Sequence, residues 1–349
     1  MYVRYKIKLL SKLRTPLYSD TIFGHFCWGI RYLKGEKYLE DFLEEFSTKK
    51  DPPLLISCAF AENHIPRPIL EPVKRSFLKE LAIYAASKIC NLKNKSESEK
   101  LFHGLQILKK LNKNKWINIE EWLKLRSECN AKNLLLLDIS KIDSENENPF
   151  LIKSGLSSIK KVVRVHNSIS RVTGMVKDEG GLYFVTELWS EKDMSFDLYV
   201  YFESEQYKAL WDEVWKDYIM ATGFGKDKST GSGQIIIEED TEDINYLFEL
   251  QGTNAHMSLS LLGFEKMPDL PASYSVFTRY GKLGGDFAVA GPDDGKPNPF
   301  KKPILLLEPG SVFFTEESPQ GSLLQNVHLD FRIRHYGLSL WLPLSITGG

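Results

Sequence analysis

The sequence has few cysteines, no long apolar run and almost no excess of charge of either sign. Its four cysteines are spread over 349 residues without a C-x-x-C pair, so we expect buried free thiols rather than structural zinc. No apolar run reaches the roughly 18–20 residues that cross a bilayer. The first residues alternate polar and apolar side chains, unlike a signal peptide. We therefore expect a cytoplasmic protein with no membrane partner.

The near-neutral charge bears on possible ligands. The chain has 45 lysines and arginines against 46 acidic residues, whereas a nucleic-acid-binding protein is usually basic. A subunit that contacts RNA along one strip and protein elsewhere does not need an overall positive charge. Because no D-x-D or H-x-x-x-D cluster occurs, the sequence predicts no nuclease metal site, and we expect neither a metal nor another cofactor.

Hydrophobic periodicity predicts an α+β protein whose first domain covers residues 1–245. Residues 1–10 alternate as a strand, and a helix follows. Residues 182–189 and 196–202 read as two strands that pair with each other, before another helix and a last strand. Without an insertion at about residues 66–180, this is the β-α-β-β-α-β order of a ferredoxin-like (RRM-like) domain.

The insertion has a helical part at residues 74–145 and a basic, thumb-like arm at residues 159–181. Ser96 and Glu99 form a capping-box pattern that predicts a helix start in the helical part. Residues 246–349 are rich in strand formers and in glycine and proline turns. They predict a second, β-rich domain, which we interpret as a degenerate ferredoxin-like domain.

The arm is cationic, because residues 159–177 contain no acid. Its β-branched residues predict a hairpin or an extended segment. An ordinary solvated strand face is the alternative interpretation. Its candidate RNA-binding side chains are Lys160, Lys161, Arg164, His166, Asn167 and Arg171.

A loop with four glycines in eleven residues follows the second helix of the first domain. Glycines let a backbone approach a ligand closely, and successive exposed N–H groups bind anions. The order helix–loop–strand does not fit a P-loop, which lies between a strand and a following helix. A flexible surface loop is the alternative to a phosphate site. The candidate residues are Gly223, Phe224, Gly225, Lys226, Lys228, Ser229, Thr230, Gly231, Ser232 and Gly233, with base stacking possible for the Phe224 ring.

A glycine-rich loop at this place is typical of the RAMP superfamily of CRISPR proteins, and further segments narrow the resemblance. In chain order they resemble motifs of the fourth subunit of Csm-type (type III-A) CRISPR effector complexes. The segments are 19–28 (SDTIFGHFCW), 53–57 (PLLIS), 65–68 (IPRP), 166–174 (HNSISRVTG) and 334–337 (RHYG).

This resemblance implies a non-catalytic RNA-binding scaffold in antiviral defence. Such a subunit caps the 5′ handle of the guide RNA (crRNA) and links the large polymerase-like subunit to the backbone RAMP subunits. The glycine-rich loop would cradle handle phosphates, and the arm would lie against the guide. Ser19 and Thr21, at the start of the first helix, would hold a phosphate with free N–H groups. Helix capping by Ser19 or Asp20 is the alternative.

A catalytic alternative is a metal-independent RAMP-type endoribonuclease that processes guide RNA. His25, His166 and Lys226 are its candidates for proton transfer. No pair of groups suited to acid and base stands out, so we expect a protein that is not an enzyme. A purely structural assembly protein leaves the glycine-rich loop unexplained. The sequence assigns no role to the helical part of the insertion.

Overall fold

The computed structural model describes residues 1–142, 159–176, 181–190, 194–288 and 299–347. The remaining residues include parts of the predicted insertion, namely 143–158 and 177–180, which lie outside the described part. The described chain mixes helices and sheets, so the predicted α+β class is confirmed. None of its described helices is long and apolar enough to span a membrane.

The elements are numbered in chain order. The helices of the described residues are α1 (Ser19–Lys34), α2 (Glu36–Thr48), α3 (Arg75–Ser87), α4 (Glu97–Leu111), α5 (Ile119–Leu125), α6 (Ala131–Ser140), α7 (Glu205–Val214), α8 (Met220–Thr222) and α9 (Asn245–Phe248). The strands are β1 (Tyr2–Leu9), β2 (Leu54–Ala61), β3 (His64–Pro66), β4 (Trp116–Asn118), β5 (Ile159–Asn167), β6 (Leu182–Ser190), β7 (Ser195–Phe202), β8 (Ile235–Glu239), β9 (Ala255–Ser258), β10 (Ala272–Ser273), β11 (Val276–Arg279), β12 (Ile304–Leu307), β13 (Val312–Phe313), β14 (Ser322–Leu324), β15 (His335–Gly337) and β16 (Trp341–Leu344).

The first sheet has the strand order β2-β7-β1-β8, and its neighbouring strands are antiparallel. In chain order its elements run β1, α1, β2, β7, α7, β8, a β-α-β-β-α-β order whose second strand is β2 and not the predicted strand at residues 182–189. Helices α1 and α7 contribute Phe26, Ile30, Trp211 and Val214 to a core that covers one face of this sheet. Because the apolar residues of α1 recur every three or four positions, they form one buried stripe.

The predicted pairing of residues 182–189 with residues 196–202 is wrong. Strand β6 pairs with β5 along its whole length, for example Lys161 with Leu188. Strand β7 lies between β1 and β2, so both of its hydrogen-bonding edges are already occupied. Local alternation of side chains indicated two strands, but it carried no information about which edges were free.

The helical part of the insertion has a core of its own, formed by α3, α4 and α6. The predicted capping box at Ser96 and Glu99 starts α4. Helices α3 and α4 approach closely at Gly104, where an added Cβ would lie 1.9 Å from the Ala82 carbonyl oxygen. Only glycine fits that crossing.

The C-terminal region is rich in strands. Its main sheet has the order β10-β13-β9-β16, and β11–β12 and β14–β15 form two-stranded sheets beside it. Met257 and Leu342 of this region share a core with Phe60 and Tyr199 of the first sheet. The first sheet is therefore covered on both faces, by α1 and α7 on one side and by the C-terminal region on the other.

Candidate nucleic-acid interface

The glycine-rich loop, residues 223–233, has a backbone that only glycine adopts easily. Gly223, Gly225, Gly231 and Gly233 have φ angles of +87°, +80°, +81° and +76°. Phe224 N–H donates to the Gly233 carbonyl at 2.7 Å and closes the neck of the loop. Gly233 N–H donates to the Lys12 carbonyl at 2.8 Å, which ties the neck to the segment after β1. The loop therefore projects from a fixed base.

Phe224 is buried in the core at the neck of the loop, with 0% of its surface exposed. Its ring packs on the His25 ring of α1 at 4.5 Å between centroids. The expectation that Phe224 stacks on an RNA base is therefore corrected, because its ring anchors the loop instead. Ser232 is also fully buried. The prediction that its hydroxyl contacts a phosphate is therefore wrong.

The side chains of His25 and Thr15 accept hydrogen bonds from the backbone at the start of the loop. Gly225 N–H donates to His25 Nε2 at 2.9 Å, and Lys226 N–H donates to Thr15 Oγ1 at 3.0 Å. Burial, with a smaller effect of Lys228, lowers the pKa of His25 to about 3. His25 is therefore neutral near pH 7, and its unprotonated Nε2 can accept the Gly225 hydrogen bond. Sequence reasoning gave His25 no such role, because its partner lies 200 residues away.

We expect the His25→Gln variant to reveal this half-buried, neutral histidine through the pH dependence of stability. Below pH 6.5, the pKa of a free histidine, the unfolded wild type binds a proton that the folded state does not bind. Wild-type stability should therefore fall by up to about 1.4 kcal/mol per pH unit below that value, relative to the variant. Urea unfolding of both proteins between pH 7 and pH 5 measures the difference. A constant difference would show that His25 titrates normally.

The outer part of the loop presents polar groups to solvent. Lys226, Ser229, Thr230 and Gly231 are exposed. Lys228 is half-buried, and burial lowers the pKa of its ammonium group. Its Nζ donates to Thr222 Oγ1 at 3.1 Å. Gly223 and Gly233 are buried at the neck, so the predicted phosphate contacts are limited to the outer part of the loop.

Strands β5 and β6 form the described part of the arm. Its candidate side chains Lys160, Lys161, Arg164, Asn167 and Arg171 are exposed. His166 is half-buried and stacks on Tyr183 of the facing strand, with 5.6 Å between ring centroids. The arm also exposes apolar side chains, among them Val172 at 95% and Phe184 at 75%. Such a surface indicates a binding partner.

Glu187 of β6 connects the arm to the body of the protein. Its carboxylate is fully buried and accepts from Lys12 Nζ at 2.5 Å, Arg164 Nε at 2.9 Å and Trp189 Nε1 at 3.1 Å. Arg14 lies 3.5 Å from the same carboxylate. The hydrogen bond from Lys12, with the positive charge of Arg164, lowers the pKa of Glu187. Glu187 is therefore ionised and holds three cations in place.

Arg14 joins the arm to the glycine-rich loop. Its guanidinium pairs with Asp227 of the loop and lies 3.4 Å from His166 Nε2 of β5. Asp227 has a φ of +58°, an unusual conformation for a residue other than glycine. The sequence did not single out Lys12, Arg14, Glu187 or Asp227, since the network connects segments more than 150 residues apart.

The start of α1 is covered by other parts of the protein, whereas the prediction required it to face solvent. Ser19 is fully buried, and its Oγ accepts from the Leu261 N–H at 3.1 Å. Thr21 Oγ1 accepts from Arg279, and Asp20 forms an ion pair with Arg279 at 2.6 Å. The prediction that Ser19 and Thr21 bind a phosphate is therefore wrong, because the C-terminal region covers this end of the helix. Capping by Ser19 or Asp20 is also wrong, since the N-cap residue is Tyr18.

The described residues contain no group of three or more histidine, cysteine or acidic side chains that could hold a metal ion. The four cysteines are free thiols. Cys58 and Cys129 are buried as expected, but Cys90 is exposed, because it lies in a short turn after α3 rather than in a core.

No protein-family model matches the chain. No curated protein matches it either. Solved structures do resemble it over its whole length. A chain of a Csm1–Csm4 cassette in complex with pppApA has a TM-score of 0.51 and 16% identity, covering 100% of this chain and 99% of that chain.

Two further structures agree with this result. A chain of a Csm1–Csm4 cassette in complex with cA4 has a TM-score of 0.51 and 14% identity, covering 100% of both chains. A chain of a Csm3–Csm4 subcomplex of a type III-A CRISPR–Cas interference complex has a TM-score of 0.52 and 16% identity, covering 98% and 99%. The chain therefore has the fold of a subunit found in type III-A Csm assemblies.

Proposed function

We propose that the chain is the fourth, RNA-binding subunit of a type III-A CRISPR effector complex and caps the 5′ handle of the crRNA. Its first domain is then a ferredoxin-like RAMP domain, and residues 246–349 are a degenerate second one. The glycine-rich loop carries the proposal. His25, Thr15 and Lys12 fix its base. Most backbone N–H groups of the loop already donate to acceptors within the protein, but Lys226, Ser229 and Thr230 of its outer part are exposed. Exposed ammonium and hydroxyl groups of this kind suit the phosphates of a single strand.

The charges around the loop support an RNA path from the loop to the arm. Lys226 and Lys228 lie on the loop, and Arg14 bridges the loop to His166 of the arm. Asp227 is the only acid between residues 223 and 233. Exposed cations at Lys226 of the loop and at Lys160 and Lys161 of the arm supply local positive charge, so a net charge of −1 does not oppose RNA binding at this surface.

The proposed protein partners are the large polymerase-like subunit and the backbone RAMP subunit. Chains with this fold occur in a Csm1–Csm4 cassette and in a Csm3–Csm4 subcomplex. The exposed apolar side chains of the arm fit an assembled state, since a lone soluble protein rarely exposes so many together.

The proposed role is non-catalytic. His25 Nε2 already accepts a backbone hydrogen bond, and its low pKa leaves it unable to donate a proton near pH 7. His166 Nε2 lies 3.4 Å from the Arg14 guanidinium, and its ring stacks on Tyr183, so both the nitrogen and the ring are in contact with other side chains. Neither histidine is therefore placed as the general acid of an endoribonuclease.

Binding of labelled guide RNAs by the chain together with the purified large subunit tests the proposal. We expect the Lys226→Ala/Lys228→Ala variant to bind handle-containing RNA about 10- to 100-fold more weakly, because it loses two charge-assisted phosphate contacts. Asp227→Asn should strengthen RNA binding, since it removes a negative charge beside the proposed phosphate positions. The matched control is Lys109→Ala/Lys113→Ala, two exposed lysines at the end of α4 and just after it.

RNA without the handle should bind more weakly than RNA with it, and no cleavage should occur with magnesium or with a chelator. Equal affinity for both RNAs, unchanged in the loop variant, would show that the loop is not the handle site. Cleavage at the repeat that persists with a chelator and disappears in His166→Ala would establish the endoribonuclease instead.

A further inference from the structure

A turn at residues 328–334, between β14 and β15, presents two large apolar side chains to solvent. Leu329 and Phe331 are 71% and 74% exposed, whereas Asp330 between them is buried. Single exposed apolar side chains are common on soluble proteins. Two of them on one short turn, on either side of a buried carboxylate, are not explained by the packing of this chain and indicate a partner.

Hydrogen bonds hold this turn in one conformation. The Asp330 carboxylate accepts from the Arg332 N–H at 2.9 Å and pairs with the Arg332 guanidinium at 2.8 Å. The Asp330 N–H donates to His328 Nδ1 at 3.0 Å. The Arg332 guanidinium also lies 3.0 Å from Glu36 of α2, which connects the turn to the first domain. Because the turn is already ordered, a partner that binds its apolar side chains loses little affinity to ordering.

An apolar cavity of about 150 Å³ lies beside the turn, between α1, α2 and the segments 283–287 and 332–334. Its volume is below the roughly 300–1,000 Å³ of small-molecule pockets, so it suits a single side chain of a protein better than a metabolite. Anchor residues of protein interfaces occupy pockets of this kind. The apolar part of its wall includes Trp28, Leu39, Leu43, Leu283, Phe287 and Ile333.

The surroundings of the turn are positively charged. Arg334 belongs to the turn, and Lys302 and Lys282 lie on segments that are hydrogen-bonded beside it. Within the described chain, each of these three cations contacts a backbone carbonyl or a ring rather than an acid. Three acids line the cavity, and two of them, Asp20 and Glu36, already form ion pairs. A partner with carboxylates around an apolar centre therefore fits this surface by charge.

The cavity is connected to the glycine-rich loop by packed rings. Trp28 of its wall stacks on Tyr32 at 5.7 Å between ring centroids, and Tyr32 stacks on Tyr218 at 5.5 Å. Lys228 of the loop lies over the Tyr218 ring at 5.1 Å. This route from the loop to the cavity does not pass through the arm, which meets the loop at Arg14 instead.

We propose that the turn and the cavity together form the docking surface for the large polymerase-like subunit. An apolar side chain of that subunit enters the cavity, others pack on Leu329 and Phe331, and its carboxylates lie beside Arg334 and Lys302. The inference rests on the proposed function, which supplies the partner, and adds the surface that receives it. Since the arm is the part that lies against the guide in that function, we assign the surface reached without it to the large subunit rather than to the backbone subunit.

Titration of the chain with the purified large subunit, in the absence of RNA, tests this proposal. We expect Leu329→Ser/Phe331→Ser to weaken binding about 30-fold or more, as for the loss of an interface hot spot. Both side chains are exposed, so urea unfolding of the variant should match that of the wild type. Lys302→Glu should weaken binding at low salt and less so at high salt, because salt screens the charges. The matched control Phe102→Ser/Leu105→Ser removes two exposed apolar side chains from α4 and should leave the affinity unchanged.

Other results would overturn the proposal in distinguishable ways. Unchanged affinity in Leu329→Ser/Phe331→Ser, with handle binding still lost in Lys226→Ala/Lys228→Ala, would refute the docking surface and leave the proposed function standing. If this variant lost affinity only for the purified backbone subunit, or only for RNA, the surface would belong to that partner and not to the large subunit. A wild-type chain that binds neither the large subunit nor handle RNA would refute the docking surface and the proposed function together.

Discussion

Replacing Gly233 by alanine is expected to abolish handle binding by deforming the glycine-rich loop. An added Cβ would lie 1.9 Å from the Phe224 carbonyl oxygen, a backbone atom that cannot move without opening the neck. The φ of +76° adds strain of about 1–3 kcal/mol for a residue with a side chain. Since the loop is the proposed phosphate site, we expect RNA affinity to fall by at least about 100-fold, which corresponds to roughly 2.7 kcal/mol.

Gly231→Ala is the matched control for this prediction. Gly231 has nearly the same φ, +81°, but its added Cβ would meet no atom within 4 Å. The control therefore carries the backbone strain without the clash. Filter binding of handle RNA to both variants separates the two effects. If both lose affinity equally, the conformational strain and not the closed neck is responsible.

The Glu187→Gln variant is expected to destabilise the protein and release the arm. A neutral amide would leave Lys12, Arg14 and Arg164 close together without their shared anion. Breaking a buried ion pair by removing one partner costs about 3–5 kcal/mol, and a smaller loss is expected here because Arg164 and Lys12 are partly exposed to solvent. Urea unfolding measures this loss, and hydrogen exchange in β5 and β6 reports the release of the arm.

Glu238→Gln serves as the control, because Glu238 pairs with Lys8 at 3.0 Å on the surface. Both side chains of that pair are about half exposed, so its removal should cost less than about 1 kcal/mol. Similar losses in the two variants would contradict the central role of Glu187. Unchanged exchange in the arm would show that other contacts, such as the pairing of Leu13 with Leu188, are sufficient to hold it.

Local patterns in the sequence predicted the elements that depend on neighbouring residues. The apolar stripe of α1 and the capping box of α4 follow from spacings of three and four residues, and both are present. The glycines of the loop predicted a backbone with positive φ angles, because this preference belongs to the residue itself. Motif resemblance also pointed to the Csm assemblies whose subunits share this fold.

Burial of individual side chains could not be predicted in the same way. Ser19 and Phe224 have local surroundings typical of exposed positions, a helix start and a glycine loop. Both are buried because distant segments cover them, Leu261 in one case and His25 in the other. The wrong strand partner for residues 182–189 has the same origin, since free edges depend on the whole sheet.

The sequence by itself determined the α+β class, the first strand with the helix that follows it, and the position of the glycine-rich loop. These properties arise from periodicity and from residue-specific backbone preferences, which act over a few residues. The tertiary structure alone decided which loop groups reach the surface and how Glu187 and Arg14 join the arm to the loop. Those features depend on contacts between segments more than 150 residues apart, and no local pattern encodes such contacts.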